Sequence, residues 1–174
     1  LTALKGGGVN RLSLGVQTLN DELLRVLGRI HTARQARDSF ERARAGFDNV
    51  SLALIYGLPG QDESDWRKTL TEIARWRPDH LSCYALIVED GTPFGHLRAQ
   101  GRLPLPGEDA ELAMYRFAMA HLSECGYEHY EISNWALPGK QSRHNRIYWL
   151  NGEWLGFGPG AHSQWGGMRF ANLR

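Results

Sequence analysis

Residues 142–149 read SRHNRIYW, which places an imidazole four residues before a phenol and an amide four residues before an indole. On a helix, residues four apart share a face, so His144 stands beside Tyr148 and Asn145 beside Trp149. An imidazole nitrogen can ligate heme iron, and an aromatic wall suits a planar apolar macrocycle. A packed helix whose histidine makes one hydrogen bond accounts for the same letters. A glycine-rich run, LGFGPGAHS, follows at 155–163. It resembles a phosphate loop only in composition, because it does not stand between a clear strand and a helix.

Further polar groups stand at the ends of apolar runs, where parallel α/β folds bind ligands. Gln17 closes GVQ. It is either a ligand contact or an ordinary residue of the turn into a helix. Arg29, in GRIH, can neutralise a carboxylate in bidentate fashion, or it is a solvated surface charge. YGLPG at 56–60 sets two glycines around a proline. That makes a turn suited to close backbone approach, or simply a strand-to-helix turn.

Other chemistries find no support. There is no HxH, HxxxH or HExxH spacing, so a self-contained zinc site is not expected, and His80, His96, His121 and His129 read as ordinary. Neither GxSxG nor GxxxxGKS occurs. Cys83 and Cys125 are far apart in sequence and read as reduced thiols of a cytoplasmic protein. Two cysteines cannot build a four-thiolate site.

The elements that must position these residues come from 174 residues, 42% apolar and 22% charged, with a formal net charge of +1. This balance gives no support for nucleic-acid attachment. No apolar run reaches the roughly 18–20 residues of a membrane span. Three segments look alike: GVNRLSLGV at 8–16, GFDNVSLAL at 46–54 and RPDHLSCYAL at 77–86. Each passes from a breaker through a polar pair into an apolar run, with a serine at the same place: Ser13, Ser51 and Ser82. Continuous apolar runs fit parallel strands covered on both faces.

Asn20 and Thr32 can cap two helices after the first strand, the second with a stripe of Ala33, Ala36, Phe40 and Ala43. Asp62 or Ser64 opens a helix with Trp66, Leu70, Ile73 and Ala74 on one face, and Pro78 stops it by pushing Arg77 out of helical geometry. After 86 come a loop and short helix (EDGTPFGHL), a proline-rich connector, and a long helix over 109–125 carrying Leu112, Tyr115, Met119 and Leu122. A strand in YEHYEIS and a hairpin at Gly166-Gly167 complete the reading. Three βα units leave raw sheet edges and cannot close a barrel. The chain, which starts at Leu1, is therefore expected to be part of a longer protein.

Taken together, GVNRLSLGVQTLNDELLRVLGRIH, LIYGLPGQ, EDGTP, GYEHYEISNWALPG, SRHNRIYW and LGFGPGAHS resemble the radical-SAM proteins of the oxygen-independent coproporphyrinogen III oxidase group. The closer likeness is to its heme chaperone branch, and it runs from about Leu4 to Phe170. The resemblance implies an α/β fold: the second half of a partial (β/α)6 barrel over residues 1–100, then a smaller α+β region over 101–174. It implies S-adenosylmethionine (SAM), heme, and a [4Fe-4S] cluster held by a CxxxCxxC motif upstream of this chain. SAM contacts carry over to Gln17, Arg29 and the backbone at Ile87. Ala53, in LALIYG, departs from the family's LDLIYG and offers no acceptor where an aspartate is expected.

His144, Asn145, Tyr148 and Trp149 match the HNxxYW pattern associated with heme. The implied function is binding heme and transferring it to respiratory acceptor proteins, with membrane-surface association through those partners. The alternative is oxygen-independent coproporphyrinogen III dehydrogenase, and Ala53 gives weight to a third reading, a binding domain without radical chemistry. Residues 1–174 alone are not expected to be active.

Overall fold

The three apolar runs form strands that pair in parallel and in chain order: β1 (Leu12–Gln17), β2 (Val50–Tyr56) and β3 (His80–Ala85). The structure is a computed structural model that describes residues 1–173, in two units, Leu1–Lys140 and Gln141–Arg174. A short α1 (Thr2–Gly6) precedes β1. Between β1 and β2 run α2 (Asp21–Val26) and α3 (Ala33–Gly46), and α4 (Glu63–Trp76) joins β2 to β3.

The caps are those the sequence predicts. The Asn20 side chain accepts from the Glu22 and Leu23 N–H groups, Thr32 and Gln35 form a reciprocal capping box, and Asp62 accepts from the Asp65 N–H. Each satisfies backbone donors that would otherwise be orphaned, at about 0.5–2 kcal/mol. Helix α4 ends before Pro78 as expected, and Arg77 leaves right-handed helical geometry for the left-handed region (φ 58°). In that conformation its guanidinium donates to the Cys125 carbonyl at 2.7 Å.

After β3 come α5 (Pro93–Ala99), α6 (Glu108–Glu124), β4 (Glu128–Glu131) and β5 (Asn134–Ala136). The sheet order is β1-β2-β3-β5-β4, with β5 antiparallel to β3 and to β4. The sequence offers no alternation from which to read the three-residue β5. β4 and β5 extend the same sheet, and the first compact unit runs on to Lys140.

The sheet has two unlike faces. Leu52, Leu54, Leu81 and Trp135 point into a core built with Ala36, Phe40 and Ala43 of α3, Trp66, Leu70 and Ile73 of α4, and Met114, Ala118 and Leu122 of α6. The α6 stripe differs from the predicted one, since Leu112 and Met119 are exposed. Spacing of four from Met114 to Leu122 keeps those residues on one side, and apolar residues occur all round this helix.

Alternation puts Ser13 and Gly15, Ser51 and Ala53, and His80, Ser82 and Tyr84 on the opposite face, where the side chains are small or polar. Cover by apolar helices on both faces, the expectation for continuous apolar runs, is therefore not what the strands are built for. The recurring serines all lie on this polar face. Ser13 pairs in register with Ser51, whereas Ser82 pairs with Ala53, one row closer to the strands' carboxyl ends.

Two buried polar residues fix the starts of β2 and β3. Asp79 accepts from the Val50 N–H at 2.9 Å and forms ion pairs with Arg44 and Lys140. His80 is fully buried, its Nδ1 2.8 Å from Ser51 Oγ and its Nε2 2.8 Å from the Tyr130 hydroxyl. Burial first, and the charge of Arg11 second, lower its pKa from 6.5 to about 3. Between these values the unfolded chain holds a proton that the folded chain does not, so stability falls as pH drops from about 6.5 toward 3. In urea titrations across this window, His80→Gln is expected to flatten the slope of stability against pH by up to about 1.4 kcal/mol per pH unit.

In the second unit, α7 (Arg143–Trp149) is capped by Ser142 Oγ, which accepts from the Asn145 N–H. The hairpin of β6 (His162–Trp165) and β7 (Met168–Ala171) turns at Gly166-Gly167, as predicted. Both glycines have positive φ, 57° and 77°, as a primed two-residue turn requires.

Candidate functional site

The chain end of β1 has an unusual backbone. Gln17 has φ 68°, and the Thr18 N–H bonds back to the Val16 carbonyl across it at 2.9 Å. A three-residue turn with positive φ at a side-chain-bearing residue is rare and strained, and persists only where its surroundings hold it. Helix α4 supplies that hold. Thr69 Oγ1 lies 3.4 Å from Thr18 Oγ1 and accepts from the Leu19 N–H, while Asn20 donates to Asp65 at 3.0 Å.

The turn aims Gln17 back over Gly15, and Arg29 reaches the same place. A methyl on Gly15 would lie 2.8 Å from Gln17 Nε2 and 3.1 Å from an Arg29 terminal nitrogen. Arg29 donates a long bond, 3.4 Å, to the Gly15 carbonyl. The structure therefore brings together an amide and a guanidinium that stand twelve positions apart in sequence, above a residue without a side chain. That cradle fits a polar ligand carrying acceptors.

Ala53 is the in-register partner of Gly15 and also of Ser82. It lies next to the cradle and contributes no polar atom. Beyond it, Ser82 and Asn134 are hydrogen-bonded, and Asn134 also donates to Glu131. Ile87, 79% exposed, lines a mostly apolar cleft of about 380 Å³ with Val26, Leu27, Gly28, Pro93 and Phe94. Gly28 is the neighbour of Arg29, so the cleft adjoins the cradle. YGLPG is a pinned strand-to-helix turn: Gly60 N–H donates to the Pro104 carbonyl, and Leu58 N–H to the Gln61 side chain.

If the cradle holds the ligand through Gln17 and Arg29, Gly15→Ala displaces both groups while only flexible side-chain ends must move. Folding is expected to survive with an unchanged Tm, and SAM affinity of the full-length protein to fall several-fold, read by calorimetric titration.

In the second unit His144 and Tyr148 meet as the spacing predicts. The Tyr148 hydroxyl is 2.6 Å from His144 Nε2, and the rings are edge to face at 4.9 Å. Tyr148 in turn meets Trp154 edge-on at 4.5 Å, and Arg169 lies over the Trp154 ring. Trp154 is absent from the sequence reading; its only signal is an aromatic following a helical turn. His144 is exposed, as is Trp149, whereas Asn145 is half-buried.

The glycine run serves this unit's own backbone. Gly156 N–H donates to Ser163 Oγ, the Asn172 side chain donates to the Gly156 and Gly158 carbonyls, and a Cβ on Gly156 would strike the His162 carbonyl. No phosphate loop is built there.

The family model described as Radical SAM superfamily matches residues 1–73. The chain is 45% identical to the heme chaperone HemW of Bacillus subtilis (strain 168) over 174 residues, covering 99% of the chain and 46% of that protein. It is 42% identical to the bovine radical S-adenosyl methionine domain-containing protein 1, mitochondrial, across 94% of the chain and 37% of that protein. The chain thus spans less than half the length of these curated relatives. Among solved structures it superposes on coproporphyrinogen III oxidase (HemN) from Escherichia coli, a radical-SAM enzyme, with a TM-score of 0.79 and 26% identity, covering 99% of this chain and 42% of that one. Residues 1–73 are similar to the radical-SAM superfamily, and the chain is similar over nearly its whole length to the heme chaperones named HemW.

Proposed function

We propose that the full-length protein is a radical-SAM heme chaperone that binds heme and passes it to acceptor proteins. The observation that carries this reading is His144, an exposed imidazole on α7 held edge to face by Tyr148, which Trp154 supports. Heme is the cargo, and His144 is its candidate iron ligand, with Asn145, Tyr148 and Trp149 around it. Tyr148 occupies His144 Nε2, so ligation through that nitrogen exchanges one hydrogen bond for an iron bond.

Gln17 and Arg29 would hold SAM by hydrogen bonding and charge, with the backbone at Ile87 beside its adenine. When bound, SAM supplies the radical chemistry of the superfamily. Burial pushes the Cys83 thiol up, away from thiolate, and among the described residues no group of three or more His, Cys, Asp or Glu side chains is placed to bind a metal. Among the described residues no helix is long and apolar enough to cross a membrane. Such a carrier would work in the cytoplasm and meet respiratory acceptors at the membrane surface.

The second reading, coproporphyrinogen III dehydrogenase, is favoured by the likeness to the Escherichia coli enzyme. The full-length protein, incubated anaerobically with SAM, reductant and coproporphyrinogen III, is expected to form no protoporphyrinogen IX, and when heme-loaded to pass heme to an apo-heme protein. Robust product formation without heme transfer would overturn the chaperone reading.

A further inference from the structure

The Tyr148 hydroxyl stands on the nitrogen of His144 that a macrocycle can approach. In an imidazole, Nδ1 adjoins the stem that joins the ring to the backbone, and Nε2 lies on the far side. A planar ligand as wide as a tetrapyrrole needs open space around the nitrogen that takes its iron, so on a helix Nε2 is the accessible donor. That atom lies 2.6 Å from the Tyr148 hydroxyl, with the two rings edge to face at 4.9 Å. A neutral imidazole has one protonated nitrogen and one free lone pair. If the phenol donates, it occupies the lone pair of Nε2. If Nε2–H donates to the phenol, Nε2 has no lone pair to offer. In both tautomers this bond must open before iron binds there.

A hydrogen bond between exposed side chains exchanges readily with water, so it counts only where its partners are held together. His144 and Tyr148 lie one turn apart on α7. Tyr148 is 38% exposed, and the other side of its environment is the indole of Trp154, met edge-on at 4.5 Å. Trp154 is itself fixed. Its backbone exchanges two hydrogen bonds with Gln164, each 2.9 Å, and Arg169, which donates to the Gln164 side chain, covers its ring. Trp154 thus keeps the phenol beside the imidazole.

We propose that Tyr148 is the release residue of the heme site: its hydroxyl competes with iron for His144 Nε2 and closes on that nitrogen as heme leaves. In the tautomer with the ring proton on Nδ1, release breaks the iron–Nε2 bond and forms the O–H···Nε2 bond, and no proton or electron changes hands. His144 is then satisfied both loaded and empty, which gives the two states of a carrier similar free energies. This role rests on the proposed function and adds to it the group that makes heme binding reversible.

Tyr148→Phe removes one oxygen at an exposed site and keeps the ring against Trp154. In the full-length protein it is expected to bind hemin about two- to ten-fold more tightly than wild type, by Soret titration, and to pass it to apomyoglobin more slowly by a similar factor. The empty protein gives a readout without heme. Diethyl pyrocarbonate attacks an imidazole nitrogen with a free lone pair, and should modify His144 several-fold faster in Tyr148→Phe, followed by peptide mass spectrometry. His144→Ala marks the hemin affinity that remains without the imidazole. Weaker hemin binding in Tyr148→Phe, or unchanged binding where His144→Ala loses it, overturns the proposal and leaves the heme reading standing. An unchanged rate of modification also overturns it, because Nε2 would then be open in the wild type. Faster modification with hemin binding unaltered in both variants overturns the heme reading itself, and the release role with it.

Discussion

Ala53→Asp in the full-length protein is expected to tighten SAM binding by roughly ten- to hundred-fold, the equivalent of about 1.5–3 kcal/mol for a charged hydrogen bond. Ala53 pairs with Gly15, over which Gln17 and Arg29 converge, so a carboxylate at 53 lies beside a guanidinium and an amide donor. It has room, because Ala53 is only half-buried and the neighbouring residues in its row, Gly15 and Ser82, are small. Arg29 offsets the cost of bringing the charge to the sheet. The gain is read by calorimetry against wild type. No change in affinity would mean that SAM does not reach the row of residue 53.

Trp66→Ala is expected to cost about 3–5 kcal/mol of stability, measured by urea unfolding. Trp66 is fully buried on α4. Its Nε1–H donates to the Met114 carbonyl at 2.8 Å, fastening α6 to α4, and its ring lies 5.3 Å from that of Tyr56. Truncation opens a cavity and also leaves the Met114 carbonyl without this donor. The same helix presents Thr69 and Asp65 to the turn that shapes Gln17, so loss of SAM affinity should accompany loss of stability. Trp66→Phe keeps most of the volume and should cost markedly less.

Much of the first unit was legible because its signals are local. Asn20, Thr32 and Asp62 cap the helices they precede, and Trp66, Leu70, Ile73 and Ala74 make one buried stripe. Helix α6 is apolar on several sides, so its spacing does not single out a buried stripe, and only packing chooses Met114, Ala118 and Leu122 over Leu112 and Met119. The polar face escaped the sequence reading for a different reason. Ser13, Ser51 and Ser82 recur at one place, but small residues between bulky ones still read as an apolar run, and nothing in the sequence around His80 announces the partners, Ser51 and Tyr130, that meet its two nitrogens.

At the candidate site, residue type leaves Gln17 and Arg29 open and only the family resemblance singles them out, whereas the positive φ of Gln17 and the convergence over Gly15 depend on tertiary contacts, among them those of α4. The pairing of His144 with Tyr148 was legible because four residues make one helical turn. Trp154 was not, because it comes from beyond the helix.

The most direct test of heme handling is a heme titration of the full-length protein, wild type against His144→Ala, followed through the Soret band. The wild type is expected to shift the band as an axial imidazole binds, and His144→Ala to lose that shift and bind heme more weakly. The same band and the same affinity in both proteins would contradict the account, because the residue on which the heme reading rests would then not touch the iron.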